Sequence, residues 1–194
     1  ADNVFKLLNN LTVALGISAT RLFFLGQFTL FTYLRPFLET VTLVNVPTLS
    51  LLLLALGVAG FFGTTMIGAV LRRSLYGTLS TISLLMAVIA LTLIPAGTGV
   101  IAVAVLLGLW GFIATAAPVG WWSWIAHTLP RHTEAGGGLM VAIVQLSIAL
   151  GSTVGGVLFD TLGYQSTFIA SAALLMLAAL LTFLTSRSPL SHTR

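Results

Sequence analysis

Leu11-Thr-Val-Ala-Leu-Gly-Ile-Ser-Ala-Thr-Arg21-Leu-Phe-Phe-Leu-Gly-Gln27-Phe-Thr-Leu-Phe-Thr-Tyr33 is an apolar run interrupted by one charge, Arg21, near its middle. About 20 mostly apolar residues in a helix cross a bilayer, so this stretch reads as a spanning helix with a guanidinium inside it. An arginine at the centre of a span costs at least roughly 2.5–3.5 kcal/mol on insertion scales. Such a side chain faces a bundle interior or a water-filled cavity rather than acyl chains. One segment therefore gives both the fold class and a place to look for function.

Working outward, six stretches are long and apolar enough to span: about 11–34, 46–71, 75–96, 99–121, 138–159 and 167–186. Each break has a cause. Leu34-Arg-Pro-Phe-Leu-Glu39 brings charge and a proline that donates no hydrogen bond. Arg72-Arg73-Ser74 stops the second helix at a membrane surface. Pro95-Ala-Gly-Thr-Gly99 is an uncharged turn, His127 to Gly138 is the most polar loop, and Asp160 to Gln165 is a short turn. The expected fold is an all-α integral membrane protein of six transmembrane helices over 11–186, with a lead-in over 1–10 and a tail over 187–194.

Composition agrees. The chain is 58% hydrophobic and 6% charged, against about 25% charged in soluble domains. Its net charge of +4 comes from eight basic residues scattered between apolar runs. They form no basic stripe, so no nucleic-acid partner is expected. There is no cysteine, hence no disulfide framework or thiolate chemistry. A signal peptide is rejected, because Arg21 and Gln27 interrupt the first apolar run and no small-residue cleavage site follows it.

With six spans both termini share a side. Lys6, Arg72, Arg73, Arg131, Arg187 and Arg194 fall there, and Arg35 alone falls opposite. The positive-inside rule puts both termini in the cytoplasm, in a bacterial inner membrane. Gly60, Thr64 and Gly68, and likewise Gly151 and Gly155, recur every four residues. That is the spacing of close helix packing in lipid.

At about 100° per residue, Arg21, Phe24, Gln27, Phe28 and Phe31 share an arc of roughly 120° on the first helix. A cation, an amide and aromatic rings on one face resemble a pocket lining. On the fourth helix Trp110, Ala114, Ala117 and Trp121 share a face, and Pro118 is expected to kink or break that helix. Trp121, Trp122 and Trp124 read as an interfacial belt. On the fifth, Gln145, Ala149, Ser152 and Gly156 align as a polar stripe opposite a glycine ridge. The candidate substrate-binding residues are Arg21, Phe24, Gln27, Phe28, Trp110 and Gln145. No metal site, phosphate loop, intramembrane serine–histidine pair or His-Glu-x-x-His is present, so no enzyme and no cofactor is expected. No Asp or Glu sits mid-helix, and any coupling proton then needs a carrier in other polypeptide or an unusual form of coupling.

Four segments carry a resemblance. Gly26-Gln-Phe-Thr-Leu-Phe-Thr-Tyr-Leu-Arg-Pro36, Pro118-Val-Gly-Trp-Trp-Ser-Trp-Ile125, Val141-Ala-Ile-Val-Gln-Leu146 and Gly151-Ser-Thr-Val-Gly-Gly-Val-Leu-Phe-Asp-Thr-Leu-Gly163 occur in order. Together they resemble the C-terminal half of major facilitator superfamily exporters of the drug:proton antiporter type, nearest the bacterial purine ribonucleoside efflux pumps. The resemblance implies two inverted three-helix repeats, efflux of a small organic solute by alternating access, proton coupling, and a missing N-terminal six-helix half. It implies that the first and fourth helices line a central cavity and that the fifth contributes Gln145. Arg21 is not part of the family pattern. The chain opens on Ala1 without an initiator methionine, the expectation being a piece of a longer protein that does not transport alone. The rival expectation is a non-transporting six-helix subunit or scaffold.

Overall fold

The computed structural model describes residues 7–188. Lys6 and Arg194, two of the charges used for orientation, lie outside the described residues. Within them are six helices long and apolar enough to cross a membrane: α1 (Leu11–Phe31), α2 (Val46–Arg73), α3 (Leu75–Ala96), α4 (Val100–Thr128), α5 (Thr133–Leu162) and α6 (Tyr164–Ser186). No strand occurs among the described residues.

Local chemistry sets several helix starts. The Asn10 side chain accepts from the Thr12 and Val13 amides, and the Asn45 side chain accepts from Thr48 N with a proline in the first turn of α2. Both satisfy amides that have no intrahelical partner. Ser74 does double duty. Its amide donates to the Val70 carbonyl, closing α2, and its hydroxyl accepts from Gly77 N, opening α3. Gly163 alone separates α5 from α6, at φ +90°, a left-handed region that side-chain-bearing residues rarely adopt.

Three boundaries depart from the sequence reading. The chain does not stop at Leu34–Glu39: a helical turn over Leu34–Phe37 and a π-turn over Leu38–Thr42 extend the first span. Pro36 lies in the first turn of that short helix, where its missing N–H has no bond to break. Leu34, Phe37 and Leu38 are then buried in the core. α4 runs on without a break through Pro118 to Thr128. α5 begins at Thr133, before its three glycines.

α1 packs on α5 and α6, α2 on α4, and α3 on α4 and α6. Exchanging α1 with α4, α2 with α5 and α3 with α6 maps this set of pairings onto itself. Because three spans return the chain to the opposite surface, two such units are necessarily inverted.

Two of the pairings approach closely through glycine. A Cβ on Gly151 would lie 2.6 Å from the Leu25 carbonyl oxygen. Gly155 similarly abuts the Thr29 carbonyl, Gly63 that of Phe112 and Gly111 that of Leu56. The ridge on α2 is Gly60 with Gly63. Gly68, expected to belong to it, meets only the tip of Arg72. The packed centre holds Phe23, Trp110, Trp121, Trp124 and Phe168, each no more than 2% exposed. By contrast α2 and α5 present Leu51, Leu54, Phe61, Leu146 and Val157 outward.

Candidate functional site

Arg21 lies on the outer face of α1 and makes no hydrogen bond or ion pair among the described residues. Ten residues at 1.5 Å each place it about 15 Å along the helix from Leu11. That is near the middle of a hydrocarbon core about 30 Å thick. Ser18, Leu25 and Phe28 stand half-buried on the same side, and Phe31 and Thr32 are exposed there. The Phe28 ring meets Phe31 edge-on at 5.9 Å.

Beside this face, Phe24 turns inward. It lines a cavity of about 150 Å³ with Pro118, Trp121 and Trp122 of α4 and Met140 and Gln145 of α5. The helices hold it open for identifiable reasons. Pro118 donates no amide hydrogen bond to the Ala114 carbonyl, so α4 lacks one rung at the cavity wall. The glycine ridge of α5 presses on α1 at Leu25 and Thr29. Thr32 and Ser152 hydroxyls bond at 2.8 Å, and the Tyr33 hydroxyl donates to the Ser152 carbonyl at 3.0 Å. These contacts clamp α1 to α5 beyond the cavity, and Gln145 lies on the unclamped side.

Three buried polar atoms have no partner among the described residues: Gln27 Oε1, Trp110 Nε1 and Trp121 Nε1. Each such group forgoes about 1–3 kcal/mol, and native cores keep few. Trp121 lines the cavity, so one unmet donor belongs to a ring that borders the space. The neighbouring Trp124 is satisfied, its Nε1 donating to Tyr76 Oη at 3.2 Å.

The residues expected at the site therefore divide. Phe24 and Gln145 meet at the cavity, and Gln145 is exposed. Arg21 and Phe28 sit around the corner on the open face, and Gln27 is half-buried. Trp110 is fully buried and lines no part of this cavity, which corrects its expected place. The reason is that α4 packs on both α2 and α3, so its Trp110–Trp121 face lies inside the bundle. The interfacial belt is corrected too: Trp121 and Trp124 are core residues, their rings edge-to-face at 6.0 Å, and only Trp122 is at the surface. Trp121, Trp122, Pro118 and Met140 are cavity residues that the sequence reading missed. Pro118-Val-Gly120 was the available signal, since a proline beside paired tryptophans marks an irregular, roomy stretch of helix.

The polar stripe and the glycine ridge of α5 are not opposed. Both lie toward α1, with Ser152 bonded to Thr32 and Gly151 against Leu25.

Six apolar spans, with a cation at mid-depth beside a small mixed cavity, define a multi-pass, all-α membrane protein. The chain is 61% identical over 185 residues to a Pseudomonas aeruginosa protein named transcription regulatory protein OpdE, covering 95% of this chain and 46% of that one. It is 36% identical over 180 residues to the purine ribonucleoside efflux pump NepI of Shigella dysenteriae, covering 93% of this chain and 46% of the pump. It is 38% identical over 179 residues to the pump of the same name from Salmonella paratyphi B, covering 92% and 45%. The chain thus spans about half the length of the curated relatives it matches. No protein-family profile matches it.

Proposed function

We propose that this bundle is one half of a secondary transporter that exports small polar organic solutes, purine ribonucleosides foremost. The solute is held near the bilayer midplane against the open face of α1. Arg21 carries the reading. It is exposed, without a partner among the described residues, and in the middle of a span. Facing acyl chains it would be costly; facing a solute path it is solvated by water or by the solute itself.

The cavity's roughly 150 Å³ falls below the 300–1,000 Å³ or so of small-molecule sites. That favours a site completed by a second half, and the relatives have more than half their length outside the matched region. In this reading Arg21 holds a polar or anionic group, and Gln145 and Gln27 hydrogen-bond. Phe24, Phe28, Trp121 and Trp122 pack against a planar ring. The exchange symmetry of the helix pairings supports a major facilitator half of the antiporter type, working by rocking of one half against the other. The described acidic residues, Glu39, Glu134 and Asp160, all lie at span ends, so a coupling proton is carried by the other half. Arg72, Arg73, Arg131 and Arg187 at one surface against Arg35 at the other favour cytoplasmic termini in a bacterial inner membrane.

The name of the 61% relative favours a second layer to this reading. Apart from Arg21 in mid-span, the described basic residues lie at helix ends, and they make no continuous face for a nucleic acid. An effect on transcription is then indirect, through removal of a solute that serves as an effector.

The test is efflux of a radiolabelled purine ribonucleoside from preloaded cells expressing the whole protein, with Arg21→Ala beside the wild type at matched membrane levels. Export that is present in the wild type and lost in Arg21→Ala is expected. Nucleoside retention identical in expressing and non-expressing cells refutes the transport reading.

A further inference from the structure

α2 and α3 are joined through Ser74 alone, yet they share few contacts beyond that joint while each packs on α4. The wedge between them is a second cleft, about 430 Å³ in volume, well away from the Arg21 face. Val70 of α2 and Ile82 and Leu85 of α3 form its walls, and Phe112 and Ile113 of α4 form its floor. The hydroxyls along it are already engaged. Thr78 Oγ1 donates to the Ser74 carbonyl at 2.5 Å and Thr81 Oγ1 to the Gly77 carbonyl at 2.7 Å.

At the mouth stands Arg73, exposed and without a hydrogen bond or ion pair among the described residues. Its neighbour Arg72 lies back along α2, with its guanidinium over Gly68. The adjacent arginines therefore do different things, and one of them guards the cleft.

The dimensions choose the occupant. Ser74 to Leu85 spans about 16 Å at 1.5 Å per residue, close to one leaflet of a hydrocarbon core about 30 Å thick. Dividing 430 Å³ by that length gives a mean cross-section of about 27 Å². So narrow a slot, lined mainly by apolar side chains, suits one acyl chain laid along it. A cation at the membrane surface above a one-leaflet apolar slot matches an anionic headgroup over its tail.

We propose that the α2–α3 cleft binds one anionic phospholipid, its phosphate on Arg73 and one acyl chain along Val70, Ile82, Leu85 and Phe112. The site is independent of what the protein exports. A bound lipid fills the wedge and ties the Ser74 joint to the membrane surface.

The whole protein is placed in nanodiscs of equimolar phosphatidylglycerol and phosphatidylcholine, released, and its retained lipid counted by native mass spectrometry. About one phosphatidylglycerol per chain is expected, in preference to phosphatidylcholine. Arg73→Gln lowers phosphatidylglycerol retention about fivefold and leaves phosphatidylcholine unchanged. Thr81→Trp, which fills the slot, removes both. If Thr81→Trp misfolds, Arg73→Gln decides alone, since Arg73 is bonded to nothing in the described chain. Equal retention of the two lipids, or retention untouched by Arg73→Gln, overturns the proposal. So does a photo-crosslinker at position 81 that captures a peptide segment instead of lipid.

Discussion

Replacing Gly151 by alanine tests the close approach of α5 to α1, which shapes one wall of the cavity. The new Cβ would lie 2.6 Å from the Leu25 carbonyl oxygen and 3.2 Å from Thr29 N, where ordinary contact begins at 3.4 Å. Both neighbours are helix backbone and cannot rotate aside. The helices must part by about 3.4 − 2.6 = 0.8 Å. A gap of that size forfeits about a quarter to a half of each dispersion contact it opens. It also stretches the Thr32–Ser152 bond at 2.8 Å. Overpacking of this kind costs about 1–3 kcal/mol. Gly138 lies on the same helix with nothing within 4 Å of its Cβ position. Alanine there gains about 0.5–1 kcal/mol from helix propensity. Alanine at 151 gains the same propensity, so the overpacking alone separates the two variants, by about 1–3 kcal/mol. Reversible unfolding in lipid–SDS micelles, followed by circular dichroism, reads the difference. Equal stability of Gly151→Ala and Gly138→Ala, or a stabilised Gly151→Ala, refutes the reasoning.

Other expectations follow from the same contacts. Gly63→Ala, against the Phe112 carbonyl, destabilises the α2–α4 pair, whereas Gly57→Ala, with open space around it, does not; the same micelle titration compares them. Tyr76→Phe strips the acceptor from buried Trp124 Nε1 and costs about 1–3 kcal/mol, visible as a lower Tm. Ser171→Ala removes the bond to the Gly26 carbonyl at 2.6 Å between α6 and α1. Its cost is only about 0.6 kcal/mol, the average for side-chain bonds within membrane bundles. The Arg35–Glu39 pair at 2.6 Å is solvent-facing, so Glu39→Gln shifts stability by less than about 1 kcal/mol, and added salt changes it little further.

What the sequence made legible follows from the physics of lipid. Apolar runs must be helical because nothing else satisfies their backbone, so six spans could be read directly, and α3 matched its expected range residue for residue. Boundaries failed where local rules met tertiary context. Pro36 forbids one backbone bond but not a new helical turn around it, and the polar look of residues 122–128 hid seven more helical residues ending in Thr128. The wheel grouped Arg21 with Phe24, Gln27, Phe28 and Phe31 as one pocket lining, whereas the coordinates turn Phe24 into the cavity and leave Arg21 on the outer face of α1. The wheel also failed for Trp110, because a single helix does not reveal which neighbours cover it, and α4 is covered on two sides. Nothing in the individual segments names their partners, and α1 packs on α5 and α6. The cavity lined by Phe24, Trp121 and Met140 is a product of that non-sequential pairing, and no periodicity in one segment encodes it.

The claim at the centre is that the Arg21 side of α1 borders an aqueous path and not lipid. This chain has no cysteine, so once any cysteine elsewhere in the whole protein is replaced, a single introduced thiol can be read without background. Arg21→Cys should react with a small, charged, water-soluble thiosulfonate, while Val88→Cys, at an exposed apolar position on α3, should not. Protection of the position-21 thiol by a transported nucleoside would strengthen the account. A position-21 thiol as inert as the one at 88, in protein that is inserted and folded, would contradict it.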